Sequence, residues 1–316
     1  MSDKKSMVIL TGPTAAGKTG LSIRLAKEIN AEIVSADSVQ VYRDMNIGSA
    51  KITSEEMQGI PHHLIDVLDP TEDMNVARFK ELSLECCRDI WSRGRIPLIT
   101  GGTGFYIQAL LYDVDFGEEE DDGYGAYLEK LCEEQGSDAL YELLKNEDAE
   151  AAEKIHPNNI KRVIRALIYK HNQGEKISEH NERESAKESP YNFAYFVLDM
   201  DRAKLYERID LRVDQMMEQG LYDEVKSLIE KYTLDRSSVS MQALGYKEFF
   251  DVIDGSLDLE EAVRIIKRDT RHFAKRQLTW FKRERDVIRV DKDAFTTEDE
   301  QLKFIKDILY EKGIIE

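Results

Sequence analysis

The stretch Met7-Val-Ile-Leu-Thr-Gly-Pro-Thr-Ala-Ala-Gly-Lys-Thr19 constrains this chain more than any other. Four apolar residues, Met7 to Leu10, read as a short strand, and a loop bracketed by Gly12 and Gly17 leads into a helix that opens near Gly17. Gly12, Gly17, Lys18 and Thr19 match the spacing G-x-x-x-x-G-K-[ST] of a phosphate-binding loop, or P-loop. In such a loop the backbone N–H groups form an anion nest, and the positive end of the following helix dipole adds to it. The expected diphosphate-binding set is therefore Gly12, Pro13, Thr14, Ala15, Ala16, Gly17, Lys18 and Thr19, with Lys18 as a point charge on the phosphates. The Thr19 hydroxyl is the expected metal ligand, for Mg2+. An ATPase, a kinase and a transferase all need phosphates held still, so the loop alone does not choose among them.

The chain of 316 residues can bury a full α/β core and carry a second, smaller domain. Only four apolar residues follow the polar start Met-Ser-Asp-Lys-Lys-Ser, which is too few for a signal peptide. No apolar run approaches the roughly 20 residues that span a bilayer. The expectation is a cytoplasmic protein with no membrane partner, and a monomer. Cys86 and Cys87 are adjacent and Cys132 stands apart, with no C-x-x-C pair, so idle reduced thiols are expected rather than a zinc site. The net charge of −18 argues against a nucleic-acid partner at first reading. Net charge, however, governs solubility more than it governs one face of a molecule.

Along the chain, a helix with Leu21, Leu25 and Ile29 inward precedes a second strand, Glu32 to Ser35, which delivers Asp37-Ser-Val-Gln-Val-Tyr42. Ligands of open parallel sheets bind beyond the carboxyl ends of the strands, which places Asp37 in the same crevice as Lys18. His62 and His63 are neighbours on an extended segment and point to opposite faces, so they do not suit a shared metal. An amphipathic helix from Val76 to Ser92 and a buried strand, Arg95 to Thr100, lead into Gly101-Gly-Thr-Gly-Phe-Tyr106 and a helix to Leu111.

Composition changes at Asp113, where an acidic stretch including residues 118–122 precedes helical segments as far as about Gly174. Ser185 to Pro190 reads as a linker, and the strand Phe193 to Leu198 resumes the sheet. The fold class is thus α/β: a P-loop parallel-sheet core (1–112 and 191–316) with a mostly helical insertion domain (113–190). Within the insertion, Lys161, Arg162 and Arg165 share one helical face, open either to solvent or to RNA. Asp201 is a candidate N-cap for a helix carrying Leu205, Ile209, Val213 and Met216 inward, with Arg208 and Arg212 one turn apart, and Gly220 is its stop. From Arg264 to Arg285 there are nine Lys or Arg against two acidic residues. Arg264, Arg268, Arg271, Lys275 and Lys282 stack on one helical face there, while Phe273, Gln277 and Trp280 share another. Such an excess repels itself unless an anion relieves it, which favours RNA backbone contact at Arg268, Arg271 and Lys275 over the alternative, a solvated helix balanced by acidic neighbours elsewhere.

Taken in order, these segments resemble the bacterial tRNA dimethylallyltransferases. The resemblance rests on Gly12 to Thr19, Asp37 to Tyr42, Asn46-Ile-Gly-Ser-Ala-Lys51 and Pro61-His-His-Leu-Ile-Asp66. It continues through Gly101 to Tyr106, Ile155-His-Pro-Asn158, Arg208 to Arg212, Gly245-Tyr-Lys247 and Ala274-Lys-Arg-Gln-Leu-Thr-Trp280. It spans nearly the whole chain and implies a P-loop core with a helical insertion that moves over bound RNA. The chain departs from the family at Ala16, where Ser is common, and in the acidic run 118–122, which cannot grip phosphate. The cysteines supply no counterpart of the zinc finger of eukaryotic members.

The resemblance implies that the exocyclic amine of the adenosine 3′ of the anticodon attacks the allylic carbon of dimethylallyl diphosphate, and that diphosphate leaves. An adenosine in a loop can be unstacked into a pocket at modest cost. Lys18, Thr19 with Mg2+, Arg212 and the loop amides would neutralise charge building on the leaving group. The amine's proton becomes acidic only as the new bond forms, and a carboxylate ionised at pH 7 can take it then, a role that falls to Asp37. By the same resemblance Asp37, Ser38, Val39, Gln40, Gly101 and Thr103, with Lys161, Arg162 and Arg165, would contact the tRNA. The competing reading is a P-loop kinase acting on a nucleotide or small metabolite, with Asp37 on metal; a third is a non-catalytic nucleotide-gated module.

Overall fold

A computed structural model describes residues 4–117 and 122–316 of the chain. Of the acidic run 118–122, residues 118–121 lie outside the described residues. The elements in chain order are β1 (Ser6–Thr11), α1 (Lys18–Glu28), β2 (Ala31–Ala36), β3 (His62–His63), α2 (Val76–Ser92), β4 (Ile96–Gly101) and α3 (Gly104–Leu111). There follow α4 (Tyr124–Gln135), α5 (Ser137–Glu147), α6 (Ala149–Lys154), α7 (Ile160–Gln173), α8 (Ile177–Ala186) and β5 (Asn192–Asp199). The chain closes with α9 (Arg202–Glu218), α10 (Leu221–Tyr232), α11 (Phe249–Ile253), α12 (Leu259–Phe281), β6 (Val287–Asp291) and α13 (Glu298–Glu311).

All six strands are parallel, in the order β3-β2-β4-β1-β5-β6. From β1 the chain crosses through α1 to β2, returns to place β4 between them, and adds β5 on the far side of β1. The strand order therefore reverses beside β1, and the P-loop leaves the sheet where a ligand crevice is expected. Alternation along β1 explains why both faces need cover. Val8 and Leu10 join Ile33, Leu98, Phe196 and Val290 in an apolar layer under α1 and α13, while Met7 and Ile9 on the other face are equally buried. Phe79 of α2 stacks on Tyr106 of α3 with ring centroids 4.4 Å apart.

Chain contacts divide the described residues into two units, 1–111 with 190–316, and 112–189. The second is a helical unit around Leu128, Leu140, Leu144, Val163 and Leu167. Its order is reinforced by Asp148, which caps α6 through the Ala151 N–H (3.0 Å) and accepts from the N–H and hydroxyl of Ser178 in α8 (2.9 and 2.7 Å). α8 runs to Ala186, so the expected linker from Ser185 is in fact helical for its first two residues.

The cysteines are free; burial pushes the Cys86 thiol up to about 11 and that of Cys87 higher still, which leaves both unreactive near neutrality. His62 bonds the Ile60 carbonyl and His63 meets Glu32 at 2.7 Å, so the two rings serve separate structural contacts. Among the described residues no group of His, Cys, Asp or Glu could hold a metal by itself, and no helix is long and apolar enough to cross a membrane.

Candidate active site

The P-loop leaves β1 through backbone geometry that its sequence permits. Gly12 has φ +151°, and a Cβ there would meet the Leu198 carbonyl oxygen at 2.7 Å; Gly17, at φ +89°, precedes the first turn of α1. Ala15 is also left-handed (φ +62°) and buries its methyl against Leu205 and Ile209 of α9 and Ala274 of α12. Two loop amides are used internally: Ala16 N–H bonds the Pro13 carbonyl (3.2 Å), and Thr14 N–H bonds Oε1 of Gln277 (2.9 Å). Among the described residues the N–H groups of Ala15 and Gly17 have no protein acceptor. With the first turn of α1 they form a set of free donors suited to an anion.

Cations surround these donors. Lys18 Nζ donates to the carbonyls of Gly12 and Pro13, both at 2.9 Å. Burial lowers its ammonium to about 8; Asp37 opposes that shift and Arg212 adds to it. α9 is started by Asp201, whose carboxylate caps Ala203 and Lys204, and is held by buried Leu205, Ile209 and Val213. Its opposite side brings Arg208 and Arg212 to the loop one turn apart. Arg208 Nε donates to the Ala15 carbonyl at 2.8 Å. Half-buried Arg212 makes no hydrogen bond or ion pair with the protein among the described residues, and burial followed by the like charge of Arg208 holds it below the usual guanidinium range.

Asp37 follows the carboxyl end of β2. Its Oδ1 accepts from the N–H groups of Val39 (2.9 Å) and Gln40 (3.3 Å), a tight turn that fixes the carboxylate. Gln40 donates to the carbonyls of Ser49 and Ala50 (3.2 and 3.3 Å), so its side chain anchors the 46–51 loop. That loop is held from its other side by Glu224, which accepts from the N–H groups of Asn46, Ile47 and Gly48 at 3.0, 2.7 and 3.2 Å. Beyond β4, a Cβ on Gly101 would fall 2.2 Å from the Ala36 carbonyl oxygen, a close approach that admits only glycine. Gly101 is buried in the strand; Gly102 and Thr103 reach the crevice in its place.

These pieces enclose a cavity of about 770 Å³. Of the residues singled out from the sequence, Thr14, Ala15, Gly17, Lys18, Thr19, Asp37, Ser38, Val39, Gln40, Thr103 and Arg212 line it; Gly12, Pro13, Ala16 and Gly101 stand behind as frame. Apolar side chains of α9 and α12, among them Leu211, Met216, Ile266 and Phe273, form another part of the wall. Lys161, Arg162 and Arg165 are exposed on α7 of the insertion unit, with no carboxylate partner among the described residues.

Much of the basic ridge of α12 is engaged by the protein's own acids. Arg264 pairs with Glu261 (3.2 Å), Arg268 with Asp269 (2.7 Å) and Arg271 with Asp210, while neighbouring Lys267 meets Asp214 at 2.6 Å. The protein's own carboxylates thus relieve much of the charge for which an RNA was invoked. Lys275, beside a second cavity of about 650 Å³, and Lys282 remain exposed with no such partner among the described residues.

Sequence reading missed three residues that build the site. Gln277 lay inside a quoted motif, but nothing local signalled that it reaches the P-loop. Arg208 was visible as the turn before Arg212. Lys292, whose Nζ donates to the Ala16 carbonyl at 3.2 Å, carried no signal at all.

Comparison with known proteins agrees with this geometry. The sequence profile of a family described as IPP transferase matches residues 40–284, and one described as isopentenyl transferase matches residues 5–68. A curated tRNA dimethylallyltransferase of Lachnoclostridium phytofermentans is 56% identical over 98% of this chain and 99% of its own length. That of Bacillus licheniformis is 50% identical over 90% of each. The crystal structure of a tRNA isopentenylpyrophosphate transferase from Bacillus halodurans superposes with a TM-score of 0.73 at 44% identity, covering 98% of both chains. A eukaryotic dimethylallyltransferase acting on tRNA gives 0.84 at 30% identity, over 97% of this chain and 80% of the other. This chain belongs to the IPP transferase family of tRNA dimethylallyltransferases.

Proposed function

We propose that this protein transfers the dimethylallyl group of dimethylallyl diphosphate to the exocyclic amine of the adenosine 3′ of the anticodon in tRNA. Besides family membership, the observation that carries the reading is Arg212. A half-buried guanidinium with no ion pair among the described residues, beside Lys18, Arg208 and free loop amides, is costly unless an anion completes it. A diphosphate with its bridging and terminal oxygens meets that demand.

In this reading the amine nitrogen forms a bond to the allylic carbon as the carbon–oxygen bond to diphosphate breaks. The bonding pair of the broken bond leaves with the diphosphate oxygen, where Lys18, Arg212 and the N–H groups of Ala15 and Gly17 receive the charge. The nitrogen's proton passes to Oδ2 of Asp37, the carboxylate oxygen not engaged by the turn. Exposed Thr19 lines the cavity, its hydroxyl is a hard oxygen donor suited to Mg2+, and the ion would add charge neutralisation on the diphosphate. Leu211, Met216, Ile266 and Phe273 provide apolar wall for a five-carbon chain. Ser38, Val39 and Thr103 supply polar edges for the adenine and its ribose. Lys161, Arg162, Arg165 and Lys275 are exposed cations with no carboxylate partner among the described residues and are available to meet the RNA backbone. The protein works in the cytoplasm as a monomer.

Labelled dimethylallyl diphosphate incubated with unmodified tRNA and Mg2+, without ATP, tests this directly. Label in tRNA and release of one diphosphate per transfer are expected. Phosphoryl transfer from ATP to a small acceptor, with no label in tRNA, would replace this reading with a kinase.

A further inference from the structure

The strand-end turn after β6 belongs to none of the motifs above, yet it reaches the P-loop. Lys292 opens a 3-10 turn (Lys292–Ala294) that Asp291 fixes by accepting the Asp293 N–H at 3.0 Å. Asp293 in turn accepts the Asp201 N–H at 2.7 Å and pairs with Lys204, which locks the turn to the start of the helix carrying Arg208 and Arg212. From this base Lys292 Nζ donates to the Ala16 carbonyl at 3.2 Å, and it would lie 2.9 Å from a Cβ on Gly17. Lys292 has no carboxylate within ion-pair distance among the described residues; the acid beside it, Asp293, is engaged by Lys204.

A peptide unit is planar and trans, so its N–H points opposite to its C=O. The carbonyl that Lys292 holds belongs to the Ala16–Gly17 peptide, whose N–H is one of the loop donors left without a protein acceptor. Arg208 makes the corresponding contact one peptide earlier, at Ala15, but the N–H it aims is already spent on the Pro13 carbonyl. Of the two outer contacts, only Lys292 aims a free amide. It also brings a positive charge to a loop already crowded by Lys18 and Arg208, an arrangement unfavourable until an anion arrives. Burial and the charge of Arg208 both lower the Lys292 ammonium, in keeping with that crowding.

We propose that Lys292 is a positioning residue of the diphosphate site: by holding the Ala16 carbonyl it presents the Gly17 N–H to the diphosphate and adds its charge behind it. The proposal rests on the P-loop being the diphosphate site. Its test compares K292M and K292R with the parent and with K18A. The measurements are calorimetric binding of inorganic diphosphate, the KM values for dimethylallyl diphosphate and tRNA, and the melting temperature. K292M is expected to bind diphosphate about tenfold more weakly and to raise the dimethylallyl diphosphate KM alike. Its tRNA KM and melting temperature should match the parent, and K292R should recover diphosphate binding to within about threefold. Should K292M not fold, K292A, which likewise removes both the donor and the charge, takes its place with the same expectation. Parent-like diphosphate binding in K292M alongside its loss in K18A would overturn the role of Lys292 and leave the site reading standing. Undiminished binding in K18A as well would overturn the site reading itself.

Discussion

The side chain of Gln277 on α12 accepts a hydrogen bond from the Thr14 N–H and donates one to the Gly102 carbonyl, both at 2.9 Å. One buried amide, 263 residues along the chain from Thr14, therefore ties the P-loop to the loop that follows β4. A Cβ on Gly102 would lie 2.4 Å from its Nε2, so glycine at 102 is what allows the contact. The bridge also consumes a loop donor that would otherwise compete for phosphate. It helps to set which amides remain free.

Replacing Gln277 by Leu would keep much of its volume and strand both partners. Each buried polar group left unpaired costs about 1–3 kcal/mol. A protein of this size loses roughly 2–4 °C in melting temperature per kcal/mol, so a drop of several degrees is expected. Turnover should fall further than stability predicts, because the P-loop loses its register against Thr103. A Q277L variant with parent turnover and parent melting temperature would show that the bridge is incidental.

Asp37 fixes its turn and is the proposed base, two roles that substitution can separate. Asn keeps a carbonyl oxygen for the N–H groups of Val39 and Gln40 but cannot take a proton, whereas Ala loses both. D37N should lower turnover by about 10²–10⁴, the usual worth of a general base, with tRNA affinity within about threefold. D37A should lose turnover at least as far and, by freeing residues 38–40, weaken tRNA binding as well. Single-turnover rates at saturating tRNA distinguish these effects, and a D37N rate within threefold of the parent would remove Asp37 from the base role.

How much of this was open to sequence reading depended on range. The P-loop, Asp37 and the Asp201 cap are each written in a few adjacent residues, because their geometry is made by the local backbone. The α/β alternation was legible for the same reason, as periodic strands and helices with glycine ends. Gln277 and Lys292 act through contacts made only once α12 and β6 have packed, and no local pattern encodes them. The ridge of α12 was legible only in part. Its cations are visible at helical spacing, but Asp210 and Asp214, which neutralise Arg271 and Lys267, sit on α9 and look like ordinary surface acids.

With the P-loop as the proposed diphosphate site, Lys18 should make binding dependent on pH. In the free protein burial lowers its ammonium to about 8, so above that pH the anion meets a neutral amine. Binding restores the charged form, whose pKa the anion raises, and a proton is taken up with the ligand. The Lys18 contribution is therefore complete below about pH 8 and declines as pH rises through it, by about tenfold between pH 7 and 9. K18R stays charged throughout, and the titration of diphosphate itself is common to both proteins. The ratio of parent to K18R dissociation constants should rise about tenfold over that interval; a flat ratio would mean that Lys18 is charged at every pH tested.

RNA binding by so acidic a chain should depend on cations that its own carboxylates leave free. Each phosphate contact removed lowers the slope of log affinity against log salt by roughly 0.7–0.9. Had Arg268, Arg271 and Lys275 all been available, their joint neutralisation would flatten that slope by about two units. Arg268 instead holds Asp269, and Arg271 holds Asp210 with only 28% of its side chain exposed. K275Q alone should therefore remove about one unit, near the full effect of the triple change. R271Q should leave the slope nearly unchanged and cost stability by releasing Asp210. On α7, a joint change of Lys161, Arg162 and Arg165 should remove about two units or more, since none is paired within the described residues. Filter binding of an anticodon stem-loop between about 50 and 200 mM salt reads these slopes. An R271Q slope one unit below the parent, with K275Q unchanged, would mean that RNA displaces Asp210 from Arg271 and that the ion pair is a placeholder for phosphate.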